Sequence, residues 1–304
     1  MKIFVTGGTG FVGQYITKRL SESGHEVSVL TRSLERAEKL VPWATIVEGD
    51  PKKSGRWQQR VSENDAAINL AGSSIFTFWT DSARKSIVDS RVLTTRNLVD
   101  SLCSSGKEKL LINASAIGYY GSRMDDEILD EEAPAGAEFM SQICVQWENE
   151  AKRAALSGTR VALCRFGLVL GRGGGALAMM VPAFRYLLGG SIGSGRQWMS
   201  WIHLEDLFSI FSFLLSDTGI SGPINCVAPN PVRNAEFAKI LARTLGRPIL
   251  LPAAPALVVR TVLGEFANVV LEGQRVIPKK LMEAGFSFRF PTLQQALEDL
   301  TGEN

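Results

Sequence analysis

Apolar positions open the chain as a short continuous run, Ile3-Phe4-Val5, followed at once by the glycine-dense stretch Thr6 to Gly13. Val12, Tyr15, Ile16 and Leu20 then recur at helical spacing until Gly24, a residue suited to ending a helix. The pattern predicts a strand over Lys2–Val5, a helix from Phe11 to Ser23, and a second strand from His25 to Leu30 with Val27 and Val29 on one face. The alternation continues with a short helix over Leu34–Leu40, a strand over Thr45–Asp50 and a buried strand from Ala66 to Gly72. A long amphipathic helix follows, Ser82 to Ser104, turning Ile87, Val88, Val92, Leu98, Val99 and Leu102 inward. Lys109–Ala114, Phe139–Leu156 and Arg160–Phe166 complete the series as strand, helix and strand. Strands alternating with helices imply an α/β fold with a doubly wound, mainly parallel sheet.

Beyond Phe166 the pattern changes. Gly167 to Gly175 and Gly189 to Trp201 read as irregular, glycine-rich loops, and loops rich in Gly, Trp and Arg on an α/β frame usually carry function. Leu204–Ser216 returns as a buried helix. Asn225 opens a smaller lobe with a helix at Asn234–Leu245, Pro252 and Pro255, an apolar helix near Leu257–Leu271, and a tail from Lys279 to Leu300. The expected division is a dinucleotide domain over 1–170, rejoined by 204–224, and a substrate lobe from 171–203 and 225–304. Ligands should lie beyond the carboxyl ends of the strands, between sheet and lobe.

Strand, glycine turn, helix and strand at the N-terminus form the unit that holds a dinucleotide. Gly7 permits the turn, Gly10 leaves room for a pyrophosphate and Gly13 lets helix and strand approach. Thr9, Phe11 and Val12 share this turn, whose amides and helix dipole favour phosphate. An NAD site usually ends its second strand on a carboxylate, whereas this chain has Arg32-Ser33. A guanidinium can grip a 2′-phosphate bidentately, so the expectation is NADP. Asp50 is a candidate for the adenine amino group, or an ordinary turn residue. Asn69, Leu70, Ala71 and Gly72 are expected along the phosphate or ribose, with Arg91 and Arg165 added to the cofactor set.

Composition narrows the partners. The 304 residues are 45% hydrophobic and 21% charged, enough for a sizeable core. A net charge of +2 argues against nucleic acid or a membrane surface, and no apolar run reaches transmembrane length. Cys103, Cys144, Cys164 and Cys226 match no zinc spacing, and with only His25 and His203 no metal site is expected. With a strand opening the chain and no secretory pattern, the expectation is a cytoplasmic protein with reduced cysteines, a small-molecule substrate, and a homodimer left open. The acidic run Asp125–Glu132 reads as a solvated loop.

Thr6-Gly-x-x-Gly-x-x-Gly13, Asn69-Leu-Ala-Gly72, Ser115-Ala-Ile-Gly-Tyr-Tyr-Gly121 and Arg165-x-Gly-x-Val-x-Gly171 together resemble the extended short-chain dehydrogenase/reductase family. Cys144-x-x-Trp147-Glu148, Gly171-Arg-Gly-Gly-Gly-Ala-Leu177, Trp201-Ile-His203-x-x-Asp206, Asn225-x-x-Ala-Pro229 and Pro278-x-Lys280-Leu-x-x-x-Gly285-Phe narrow it. They are similar to the atypical subgroup called NAD-dependent epimerase/dehydratase-like, or nucleoside-diphosphate sugar epimerase-like family 39U. The resemblance implies a Rossmann fold, a nicotinamide dinucleotide and a smaller C-terminal lobe. It also implies a Tyr-x-x-x-Lys pair, which here reads Cys144-x-x-x-Glu148, so the usual proton donor and its cation are both missing.

Three accounts of the chemistry follow. Tyr119 or Tyr120 with Ser115 replaces the missing acid; or Cys144 acts as acid, base or nucleophile; or the chain binds NADP(H) as a non-catalytic regulator or redox sensor. Cys144 also reads as a packed helix thiol. Candidate substrate contacts are Arg196, Gln197, Trp198, Trp201 and His203, suited to an anionic or flat ligand; the tryptophans also read as core, and His203 as a helix cap. The expectation is an oxidoreductase or epimerase acting on a small polar, nucleotide-sugar-like substrate.

Overall fold

A computed structural model of the chain describes residues 1–104, 109–123, 125–216 and 219–302. The predicted alternation is present, with one helix the pattern did not mark, α3, as β1 (Lys2–Thr6), α1 (Phe11–Glu22), β2 (Glu26–Thr31), α2 (Leu34–Leu40), β3 (Thr45–Glu48), α3 (Trp57–Ser62), β4 (Ala66–Asn69), α4 (Asp81–Cys103), β5 (Leu110–Ala116) and α5 (Phe139–Lys152). The strands Arg160–Phe166 and Gly222–Cys226 extend the sheet beyond β5. Seven strands run in the order Gly222–Cys226, Arg160–Phe166, β5, β4, β1, β2, β3, and every neighbouring pair is parallel.

A side-chain period of two divides the core between the sheet faces. Ile3 and Val5 pack with Ile16 and Leu20 of α1 and with Leu207 and Phe211 of the helix Leu204–Leu215. Phe4, between them in sequence, packs with Leu98, Val99 and Leu102 of α4 and Ala151 of α5 on the other face. Strand order reverses between β1 and β4, where crossovers leave to opposite faces and open a crevice at the carboxyl ends.

The C-terminal part has its own core of Trp201, Phe237, Leu241, Leu293 and Leu297. Asp206, fully buried, ties this part to the sheet domain by accepting the Arg289 and Phe290 amides at 2.7 and 3.0 Å. Three elements differ from expectation. The glycine-rich 167–175 segment is partly regular: Leu168–Leu170 pairs in parallel with Trp201–His203. The apolar helix near Leu257–Leu271 is two helices, Ala256–Leu263 and Ala267–Leu271, because Gly264 takes φ +58° and breaks the ladder. The strand beginning before Asn225 continues through Cys226, so the sheet ends inside the stretch expected to open the lobe. Among the described residues no helix is long and apolar enough to cross a membrane.

Candidate cofactor and substrate site

The β1–α1 turn brings three backbone segments to within contact distance. Gly7 has φ +73°, and a Cβ there would stand 2.5 Å from the Leu70 carbonyl carbon and 2.7 Å from the Ala71 nitrogen. The chain leaving β4 therefore passes directly over the turn. At Gly13 a Cβ would lie 2.2 Å from the Gly7 oxygen, so α1 can approach β1 only with glycine at that place. Gly10 is the extended residue before α1, with its amide on the Gly7 oxygen at 3.0 Å. The first helical bond runs from Gln14 to the Gly10 carbonyl at 2.8 Å, leaving the amides of Phe11, Val12 and Gly13 outside the helical ladder. Thr9 accepts the Gln14 side chain on its carbonyl at 3.0 Å.

The Gly171–Gly175 stretch explains itself from this turn. Cβ atoms at Gly171, Gly174 and Gly175 would come within 2.7, 2.1 and 2.9 Å of the Phe11 ring. These glycines form a socket for the first side chain of α1, which fixes the helix end rather than a substrate.

At the end of β2, Arg32 is exposed and makes no ion pair or hydrogen bond among the described residues. Ser33 beside it gives its amide to Thr31 Oγ1 at 3.1 Å, and its own hydroxyl caps nothing. Asp50 turns back on its own loop, accepting the Lys52 amide at 3.1 Å.

Asn69 is a correction. It was expected on the phosphate or ribose, but it is fully buried and saturated. Its oxygen accepts from Thr6 at 2.6 Å, and its amide donates to Thr95 and Asn113 at 2.8 and 2.7 Å. It fastens β1, β4, β5 and α4 behind the site. Leu70 and Ala71 pass over the Gly7 turn, and Arg91 lies under Gly72: a Cβ on Gly72 would meet the guanidinium carbon at 3.0 Å. Among the described residues, Arg91 donates only to the carbonyls of Ser73 (3.2 Å) and Ile87 (3.1 Å), lies 5.3 Å from the Trp147 ring centre, and has no carboxylate within ion-pair distance. Burial lowers its pKa from the ordinary guanidinium value. This uncompensated cation behind the β4 exit would favour an anion there.

The β5 exit holds a closed polar network. Glu148, fully buried on α5, accepts Arg165 Nε at 2.8 Å and Arg165 Nη2 at 2.9 Å, and Ser115 donates to it at 2.8 Å. Arg165 Nη1 donates to the Tyr120 hydroxyl at 2.9 Å, and that hydroxyl donates to Asn225 at 2.6 Å. The Asn225 amide in turn donates to Glu131 at 3.0 Å. Burial opposes the Arg165 charge, but the bidentate carboxylate overrides it and raises the pKa. Arg165 on the neighbouring strand thus pairs with Glu148, so that neither buried charge is left alone.

Four expectations change here. Arg165 is held within this network, under 2% exposed, and not directed at a cofactor. Tyr120 is fully buried, and burial pushes its hydroxyl up to about 12 despite Arg165. Cys144 is buried; desolvation, then the Glu148 charge, push its thiol up to about 11, the reverse of an activated thiolate. Glu131, expected in a solvated loop, is buried, receives the Asn225 and Lys280 amides and has its pKa raised by burial. Tyr119 remains half-buried, with the Arg165 guanidinium 3.5 Å from its ring centre.

Among the substrate candidates, Trp201 is fully buried in the lobe core, its indole donating to Asn230 at 3.2 Å. His203 is buried too. It caps the helix Leu204–Leu215 by accepting the Glu205 amide at 3.0 Å and stacks on Phe290 with 3.9 Å between ring centres. Neither can touch a substrate in this arrangement. Gln197 is buried and donates to the Ile192 and Val270 carbonyls at 3.0 and 3.1 Å. Trp198 is half-exposed between the guanidinium groups of Arg233 (4.0 Å) and Arg275 (4.7 Å), and Arg196 is exposed beside it. Arg233 and Arg275 were not singled out by the sequence, since nothing in their local pattern marks them and only the fold brings them to one indole.

A parallel sheet in this order, with a glycine turn at its reversal point, defines a dinucleotide-fold protein of the Rossmann class. The chain belongs to the NAD dependent epimerase/dehydratase family, whose model matches residues 3–226, in its atypical short-chain dehydrogenase/reductase, epimerase-like branch. Residues 254–300 match a second model, the domain of unknown function DUF1731. The chain is 40% identical over 300 residues to the chloroplastic epimerase family protein SDR39U1 homolog of Arabidopsis thaliana, covering 98% of this chain and 86% of that one. It is 39% identical to the epimerase family protein YfhF of Bacillus subtilis, over 100% and 99% of the two chains. Among solved structures, human epimerase family protein SDR39U1 (isoform 2) with NADPH superposes with a TM-score of 0.87 at 34% identity, covering 99% of both chains.

Proposed function

We propose that this chain binds NADP(H) along the β1–α1 turn and works on a small polar substrate in the crevice, as an oxidoreductase or epimerase of nucleotide-sugar-like compounds. The observation that carries the cofactor reading is Arg32: an exposed guanidinium with no partner among the described residues, at the β2 end, beside Ser33 and with no carboxylate in its place. The relative solved with NADPH, at 34% identity, supports the same choice. When bound, the nicotinamide supplies a hydride acceptor or donor. Gly7, Gly10 and Gly13 admit the pyrophosphate, the α1 amides and Arg91 favour its charge, and Arg32 with Ser33 holds the 2′-phosphate.

Proton exchange then rests on Tyr119. Ser115 is committed to Glu148, Tyr120 to Asn225, and Cys144 has a raised thiol pKa, whereas Tyr119 is half-buried beside an obligatory cation, Arg165. A second reading, a non-catalytic NADP(H)-binding regulator, is favoured by the same closure of the Ser115–Glu148–Arg165 network. NADPH carrying deuterium at C4 separates the two. Incubated with a panel of small carbonyl compounds, the oxidoreductase passes this label to the product. For the epimerase the oxidised cofactor, NADP+, is loaded instead, and a nucleotide sugar deuterated at the carbon that inverts is converted to its epimer as its hydride passes to the nicotinamide and back. Tyr119→Phe stops both. Label retained throughout the panel and no epimer formed, with NADPH still bound, supports the regulator.

A further inference from the structure

The C-terminal part carries an open groove that shares no lining residue with the cofactor turn. It has a volume of about 480 Å³ and lies along the helix Asn234–Thr244. Its floor is Ala235, Ala238 and Ala242, spaced so that one helix face is smooth, and Ser191 lies on the facing loop. Three cations line it: Lys239, Arg243 and Arg247. All three are exposed, and none makes an ion pair or hydrogen bond among the described residues. Glu236, the helix's sole carboxylate, is not among the lining residues.

This arrangement costs stability as it stands. Lys239 and Arg243 are four residues apart on one helix face, where like charges repel. A role for cations in complementing the helix dipole accounts for Arg243 in the last turn, but not for Lys239 in the middle or Arg247 beyond the end. Beside the cations the chain continues as Ile249-Leu250-Leu251, all exposed, with Ile249 lining the cavity itself. Charge and apolar surface therefore stand together: three donors at one rim, and a smooth methyl floor with an aliphatic lip.

We propose that this groove is a binding site for a phosphate-bearing ligand with an apolar body. The phosphoryl oxygens sit among Lys239, Arg243 and Arg247, and the body lies on the alanine floor against Ile249. Two sources share this chemistry, a soluble phosphorylated metabolite and a lipid headgroup, and the second would use Leu250 and Leu251 as well.

The test is calorimetric titration of the full chain with pyrophosphate, with NADPH present in excess so that the dinucleotide turn is occupied. One pyrophosphate is expected to bind per chain, and Arg243→Gln/Arg247→Gln is expected to weaken it about tenfold or more, a loss of roughly 1.4 kcal/mol. The melting temperature and NADPH affinity of that variant should stay those of the parent. If NADPH itself fails to bind, the same comparison is made between the double variant and Arg32→Ala, and the groove predicts loss only in the former. Co-sedimentation with phosphatidylglycerol vesicles against phosphatidylcholine vesicles assigns the source: retention on the former, lost in Leu250→Ser/Leu251→Ser, identifies a lipid headgroup, and pyrophosphate binding without retention identifies a soluble ligand. Absence of any pyrophosphate or vesicle binding, or binding unchanged in Arg243→Gln/Arg247→Gln, overturns the proposal.

Discussion

Single residues decide whether this site resembles its relatives in chemistry or only in shape. Cys144 occupies the place where a proton donor is expected, yet burial and the nearby Glu148 carboxylate raise its thiol to about 11. At pH 8 it should react with iodoacetamide far more slowly than the exposed Cys103, as read by mass spectrometry of the native protein; equal labelling of the two would contradict its burial. Glu148 and Arg165 carry the opposite charges of the network, and removing one leaves the other buried alone. Glu148→Gln and Arg165→Met should each destabilise by about 3–5 kcal/mol, and the double variant by much less than their sum. Additive losses in urea unfolding would show that the two do not act as a pair.

At the scale of elements, what was legible in the sequence is what local patterns encode. The βαβ opening, the strand and helix alternation and the glycine turn all rest on neighbours in sequence, and the sheet has them. Gly13 states this most sharply, because its Cβ would overlap the Gly7 oxygen at 2.2 Å. Gly13→Ala should cost about 1–3 kcal/mol through overpacking and weaken NADPH binding as the turn shifts; an unchanged melting temperature would mean that α1 can move aside. What was not legible needs three dimensions. Asn69, Trp201 and His203 are polar or aromatic residues near predicted loops, and a sequence cannot tell a ligand contact from a core residue with satisfied partners. Arg165 reads in the sequence as a phosphate ligand, whereas Glu148, seventeen positions earlier, meets it from the facing helix. The Gly171–Gly175 run looked functional, and its task is to admit the Phe11 ring.

At the scale of the whole molecule, the C-terminal part meets the sheet domain around Asp206 and His203, and that junction is expected to weaken in acid. His203 caps one helix, stacks on Phe290 and stands 3.3 Å from the Asp299 carboxylate. Burial lowers its pKa to about 4 from the 6.5 of an unfolded chain, although Asp299 pulls the other way. A folded pKa below the unfolded one means that the unfolded chain binds the extra proton first. The stabilising effect is complete above pH 6.5 and is lost as the pH falls towards 4, up to about 3 kcal/mol in all. His203→Asn, which keeps a capping side chain, should flatten this part of the pH–stability curve; a curve as steep as the parent's would place the acid sensitivity elsewhere. The proposed cofactor choice rests on Arg32 at the end of β2. Titrating the parent chain and Arg32→Ala with NADPH and NADH tests that choice most directly. The prediction is a parent preference for NADPH that falls by about tenfold or more in the variant, with NADH affinity nearly unchanged. Equal affinity of the parent for both nucleotides, or an equal loss of both in the variant, would contradict it.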